Sequence, residues 1–127
     1  MTDEATAARY PGRAPIDAYG NGGFRFAGMS HRGSILCLAD AIVAWRPTRV
    51  EQLSPGCFAD VLADPGRISF LLLGTGVSHC QPPPWVHEAF ARAGIGLDVM
   101  ATGAAARTWN VLLAEGRPVA AALMATD

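Results

Sequence analysis

The chain has 127 residues, of which 50% are hydrophobic and 17% charged, with a formal net charge of -1 and a pI near 6.3. That length suits one domain able to bury roughly two thirds of its unfolded surface, and the charge balance excludes the clustered basic surface that nucleic acid requires. All ten basic residues are arginines, which excludes Schiff-base and P-loop lysine chemistry.

Residues 1–15 are rich in Ala, Gly, Pro and charge without periodicity, and are expected to form a flexible tail before a single domain over residues 16–127. Asp3 and Glu4, with no apolar run after them, do not fit a secretory signal or an acid-poor presequence. Ile16 to Tyr19 alternates apolar and polar, Gly20-Asn21-Gly22-Gly23 turns the chain, and Phe24-Arg25-Phe26 alternates again, which predicts a hairpin or a bulged bend between short strands. Tyr19, Phe24 and Phe26 read as core and sheet-face packing. Gly28 to Gly33 reads as a second turn holding a solvated His31. Ser34 to Leu38 and Ala41 to Trp45, separated by Asp40, predict two adjacent antiparallel strands that Pro47 stops. Ser54-Pro55 predicts the cap and first turn of a short helix that buries Phe58, Val61 and Leu62, with Cys57 inert inside it.

The run from Ile68 to Gly76, I-S-F-L-L-L-G-T-G, is the centre of the pattern. Continuous apolarity bounded by Asp64-Pro65-Gly66 and by two glycines predicts a strand covered on both faces. Three prolines, Pro82 to Pro84, delay the next helix, on which Trp85, Val86, Ala89, Phe90 and Ala93 form a stripe closed by Gly94. Ile95 to Met100 predicts a strand, Thr102 the N-cap of a helix from Gly103 to Glu115 with Ala105, Trp109 and Leu112 inward, and Pro118 to Met124 a last strand. The fold class is therefore α/β, with N-terminal antiparallel strands and a C-terminal βαβαβ unit whose parallel parts need crossovers.

Ligands in open α/β sheets bind beyond the carboxyl ends of the strands. Gly74, Thr75 and Gly76 end one such strand, Thr102 opens the helix after the next, and Arg107 and Asn110 follow on that helix. Together they could hold a phosphate or carboxylate. The same residues have a structural reading, in which the glycines tighten a turn, Thr102 caps and Arg107 pairs with Glu88 or Asp98. No catalytic set is recognised. His79 and Cys80 are adjacent in a loop and so point apart. The three histidines and three cysteines lack ligand spacing, so neither a metal nor another cofactor is expected. The odd cysteine count and the lack of a membrane-length apolar run fit a soluble cytoplasmic protein.

Beyond periodicity, I-D-A-Y-G-N-G-G-F-R-F (Ile16 to Phe26), L-L-L-G-T-G and M-A-T-G-A-A-A-R-T-W-N-V-L-L-A-E-G-R-P-V-A-A-A-L (Met100 to Leu123) resemble a small domain family. It includes mitochondrial NADH dehydrogenase (complex I) assembly factor three, its alphaproteobacterial relatives and the adipogenesis-associated proteins built on an archaeal domain of unknown function. Met100, Thr102, Ala105, Arg107, Thr108 and Asn110 fall at the family's positions, while Trp109 stands where relatives often carry tyrosine. The resemblance implies an MTH-like three-layer α/β fold with a central mixed sheet. It also implies a non-catalytic binding factor in the biogenesis of respiratory complex I, here a bacterial member. Expected partners are complex I subunits or another assembly factor, with a looser link to membrane-protein insertion machinery and, through a partner, to the inner membrane. Such a factor would dock through an apolar surface near Trp45 or the Trp85 helix. The rival expectation is an anion-binding domain or enzyme that uses Gly74 to Gly76 with Arg107.

Overall fold

The computed structural model describes residues 8–127. Strands β1 (Arg9–Pro11), β2 (Ile16–Gly20), β3 (Gly23–Phe26), β4 (Met29–Arg32), β5 (Ser34–Cys37) and β6 (Ala41–Trp45) precede two 3-10 turns and helix α1 (Ala59–Leu62). The chain continues as β7 (Phe70–Gly74), α2 (Pro84–Ala93), β8 (Gly96–Met100), α3 (Thr102–Ala114) and β9 (Val119–Leu123). Six strands make a mixed sheet in the order β1-β6-β5-β9-β7-β8, and β2-β3-β4 make a separate antiparallel sheet. Strand β7 pairs in parallel with both β8 and β9, whereas β9 pairs antiparallel with β5. The three-layer α/β architecture with a central mixed sheet that the family resemblance implies is thus present.

Covering on both faces explains the apolar runs. Leu71 and Leu73 of β7 and Ala120 and Ala122 of β9 point into one core with Phe58, Val61, Val86 and Phe90. Leu72, Ala121 and Leu123 point into the other with Phe24, Phe26, Ala105 and Trp109. A polar side chain at any of these strand positions would be buried without water. One outer layer is α1 with α2; the other is α3 beside the three-stranded sheet. Helix α2 begins at Pro84, the last of the three prolines, and ends at Gly94 in the left-handed conformation (φ 72°).

Four local expectations change. Structure begins by Arg9, inside the stretch read as tail, because β1 pairs with β6 from Arg9↔Val43 to Pro11↔Ala41. Three residues carry too little periodicity to show as a strand; the rest of that expectation, residues 1–7, lies outside the described residues. The stretch from Gly28 to Gly33 is a strand rather than one turn, since the turn is confined to Ala27 and Gly28 (φ 53° and 74°) and Met29 to Arg32 pair with β3. His31 is consequently buried, at 6% exposure, with Nδ1 3.0 Å from the Tyr10 hydroxyl. Ser54 makes no side-chain cap, and the helix it precedes starts as a 3-10 turn, Pro55–Phe58.

Candidate functional site

The carboxyl ends of β7 and β9 and the start of α3 are laced together by one hydroxyl. Thr102 Oγ1 donates to the Met124 carbonyl (2.8 Å) and accepts from the Gly76 amide (2.9 Å), while the Thr102 amide donates to the Gly76 carbonyl (2.8 Å). Ala101 is the N-cap residue, so the expected capping role of Thr102 is replaced by this cross-link. Buried hydroxyls need such partners, and Thr102 is wholly buried. Gly74 permits the approach: a Cβ there would lie 2.9 Å from the Thr102 Cα. The Thr75 amide donates to the Met100 carbonyl (2.9 Å), and its hydroxyl donates to the Ser78 carbonyl (2.8 Å) and accepts from the Cys80 amide (3.0 Å). Gly74, Thr75, Gly76 and Thr102 therefore do converge, with the Thr75 and Gly76 amides directed at protein acceptors.

Further along α3 the polar residues reach back to the N-terminal segment. The Trp109 indole N–H donates to the Ala14 carbonyl (2.9 Å). Asn110 accepts from the Ile16 amide (2.7 Å) and donates to the Ile16 carbonyl (2.9 Å), which places its amide group on β2 rather than in an open anion cradle. Arg13 lies over the Trp109 ring, 5.2 Å from its centroid, and donates to the carbonyls of Arg117 and Val119 (both 3.1 Å). These bonds strap residues 13–16 across the helix.

Arg107 differs from its neighbours. It is exposed, and among the described residues it forms no ion pair, so neither Glu88 nor Asp98 neutralises it. Gly103, Arg107 and Val111 lie four residues apart and form one row on the outer face of α3. Tyr19 from β2 lies on that row: a Cβ at Gly103 would overlap the Tyr19 hydroxyl and approach an Arg107 terminal nitrogen at 3.4 Å. Tyr19 is 45% and Val111 59% exposed. Beside them a cleft of about 510 Å³ opens between β2 and α3, with Asp17, Tyr19, Ala106, Arg107 and Asn110 in its walls. Sequence reasoning placed Tyr19 among packing residues and missed this pairing. The available signal was Gly103, a glycine in the first turn of an alanine-rich helix, where only close approach by another group favours it.

The tryptophans do not supply the expected apolar surface. Trp45 is 7% exposed, with its indole N–H on the Cys57 carbonyl (2.8 Å), and Trp85 is half-buried against Phe58. Burial pushes the Cys57 thiol above its usual range, while Cys80 is exposed. Among the described residues no group of three or more His, Cys, Asp or Glu could hold a metal ion, and no helix is long and apolar enough to cross a membrane.

The strand-end residues and those of α3 organise this region. A family profile described as "Protein of unknown function (DUF498/DUF598)" matches residues 16–124, which contain all of them. The chain belongs to the DUF498/DUF598 family. An uncharacterized protein of Rhodobacter capsulatus is 40% identical over 121 residues, covering 93% of this chain and 92% of its own. Human NADH dehydrogenase [ubiquinone] 1 alpha subcomplex assembly factor 3 is 30% identical over 121 residues, covering 95% of this chain; the chain spans 63% of that relative's length. Among solved structures, a Bartonella henselae protein described as an outer membrane protein aligns at a TM-score of 0.88 and 49% identity, covering 93% of this chain and 99% of that one. A Bordetella pertussis protein described as an Mth938-like domain aligns at 0.75 with 24% identity, covering 98% and 89%, which carries the fold. The DUF498/DUF598 fold is thus that of the Mth938-like neighbours.

Proposed function

We propose that this DUF498/DUF598 protein is a non-catalytic docking factor whose contact surface is the outer row of α3 with Tyr19. The observation that carries the reading is the exposed Arg107, with no ion pair among the described residues, on one row with an exposed tyrosine and Val111. Tyrosine and arginine are the side chains that most often dominate protein interfaces, and Tyr19 is held in place by its seat on Gly103. The partner surface is one that sets a carboxylate against Arg107 and apolar side chains against Tyr19 and Val111. By kinship with the assembly factors, the partner is a respiratory complex I subunit or another assembly factor, with membrane-insertion components as the broader class. The rival reading, an anion held by Gly74, Thr75 and Gly76 with Thr102, Arg107 and Asn110, has fewer open donors, because the Thr75 and Gly76 amides and the Asn110 side chain already have partners.

Affinity capture of the tagged protein from the organism that encodes it, analysed by mass spectrometry, tests the docking reading. Recovery of complex I subunits or insertion components, lost in Arg107→Ala and in Gly103→Ala, is the expected result. Gly103→Ala pushes aside only the far end of Tyr19 and so alters the surface without touching either core. Equal recovery by both variants would place the docking surface elsewhere, and recovery of no specific protein would favour the anion site.

A further inference from the structure

The three-stranded sheet has an outer face that no element among the described residues covers. Directly opposed residues of an antiparallel sheet share a face, so the pairings Ala18↔Arg25↔Ser30 and Gly20↔Gly23↔Arg32 define the outward side. Phe24 and Phe26 define the inward one, packed into the core. The twisted outer face encloses a concavity of about 400 Å³, within the size of small-molecule sites, roughly 300–1,000 Å³. Its floor is bare because Ala18, Gly20 and Gly23 carry little or no side chain. At Gly23 a Cβ would collide with the His31 carbonyl, so the gap is built into the strand pairing.

The walls are cationic. Arg25 and Arg32 are diagonal neighbours across β3 and β4, a relation that sets Cα atoms roughly 7–8 Å apart and lets long side chains meet. Ser30 stands on the same face, opposite Arg25 and two residues before Arg32. Neither arginine enters an ion pair with a described residue. Among the described residues no carboxylate lines the concavity; the nearest in sequence, Asp17, belongs to the cleft against α3. Two like charges facing one hollow repel unless an anion lies between them. Two guanidinium forks with a hydroxyl donor suit a group with three terminal oxygens better than a two-oxygen carboxylate.

We propose that the outer face of the β2-β3-β4 sheet is a second binding site, for a phosphate-bearing group held by Arg25, Arg32 and Ser30. It is distinct from the Arg107 surface, and Ala18 and Tyr19 form the boundary the two hollows share. The phosphate comes from a soluble phosphate compound or from an anionic lipid headgroup, and the test has an arm for each.

In the first arm, ¹⁵N-labelled protein is titrated with inorganic phosphate at matched ionic strength while backbone amides and arginine Nε–H signals are followed. In the second, sedimentation with phosphatidylglycerol vesicles is compared with phosphatidylcholine vesicles. The site predicts saturable shifts confined to residues 18–32, or phosphatidylglycerol-dependent sedimentation. Either is weakened about tenfold or more in Arg25→Gln/Arg32→Gln, as loss of two charge-assisted bonds requires, and neither is altered by Arg92→Gln on α2. Phosphate saturation without vesicle binding assigns a soluble ligand; vesicle binding lost in the double variant assigns a lipid. Shifts that never saturate together with no vesicle binding, or equal weakening by Arg92→Gln, would overturn the proposal. All three substitutions are at exposed positions, and an unchanged thermal midpoint confirms that each variant is folded.

Discussion

Helices α2 and α3 are attached to the same sheet by different physics. Helix α2 is held by apolar contact: Val86 and Phe90 are buried, Phe90 meets Phe58 edge-on at 5.1 Å, and Glu88 and Arg92 point to solvent. Helix α3 buries Ala105, Ala106 and Trp109 and also hydrogen-bonds three other segments through Thr102, Trp109 and Asn110. Apolar contact tolerates side chains of similar volume, whereas a side chain that satisfies buried backbone groups can be replaced only by one with the same donors and acceptors. Most of the sequence motif on α3 is therefore structural. Arg107, which has no such partner among the described residues, is where function is to be sought.

That contrast can be broken from either side. The largest expected effect is on α2: Phe90→Ala should lose about 3–5 kcal/mol, and Phe90→Leu much less, by chemical denaturation. If the two cost the same, α2 is not held by volume. On α3, Thr102→Val keeps the shape but leaves the Gly76 amide and the Met124 carbonyl without their partner, and should lose about 1–3 kcal/mol. A loss under half a kcal/mol would show that the cross-link is incidental.

A third test concerns His31 of β4, buried against Tyr10. Burial lowers the His31 pKa from its ordinary 6.5, against a smaller opposing effect of the Ser34 backbone. The fold thus favours neutral imidazole, while the unfolded chain takes up a proton near 6.5. The His31 contribution to stability is accordingly full above that pH and declines as pH falls through it toward the folded pKa. Denaturation midpoints for the native protein should drop as pH falls below 6.5 more steeply than for His31→Gln, which cannot titrate; parallel curves would show that His31 is not held neutral. The smallest expected effect is that of Arg107→Ala, within about 0.5 kcal/mol as for an uninvolved surface position, although capture of the partner is lost. A large loss of stability would make Arg107 structural and remove the contrast within α3.

Periodicity and punctuation along the chain were enough to set the strand from Phe70 to Gly74 as doubly covered, α2 between Pro84 and Gly94, the Asn21-Gly22 hairpin and the mixed α/β class. Each of these rests on local patterns of apolarity or backbone restriction, which a linear sequence displays. Only the tertiary structure decided that β1 pairs with β6, that the N-terminal strands divide between two sheets, and that His31 lies under Tyr10. It also decided the destinations of the polar motif. A threonine that caps its own helix and one that bridges two strand ends look alike in sequence, and so do an asparagine aimed at a ligand and one aimed at Ile16. Their bonds join residues 22 and 94 positions apart. Pairings over such separations arise from the packing of layers, so the neighbours that use up Thr102 and Asn110, and those that leave Arg107 exposed, exist only once the chain is folded.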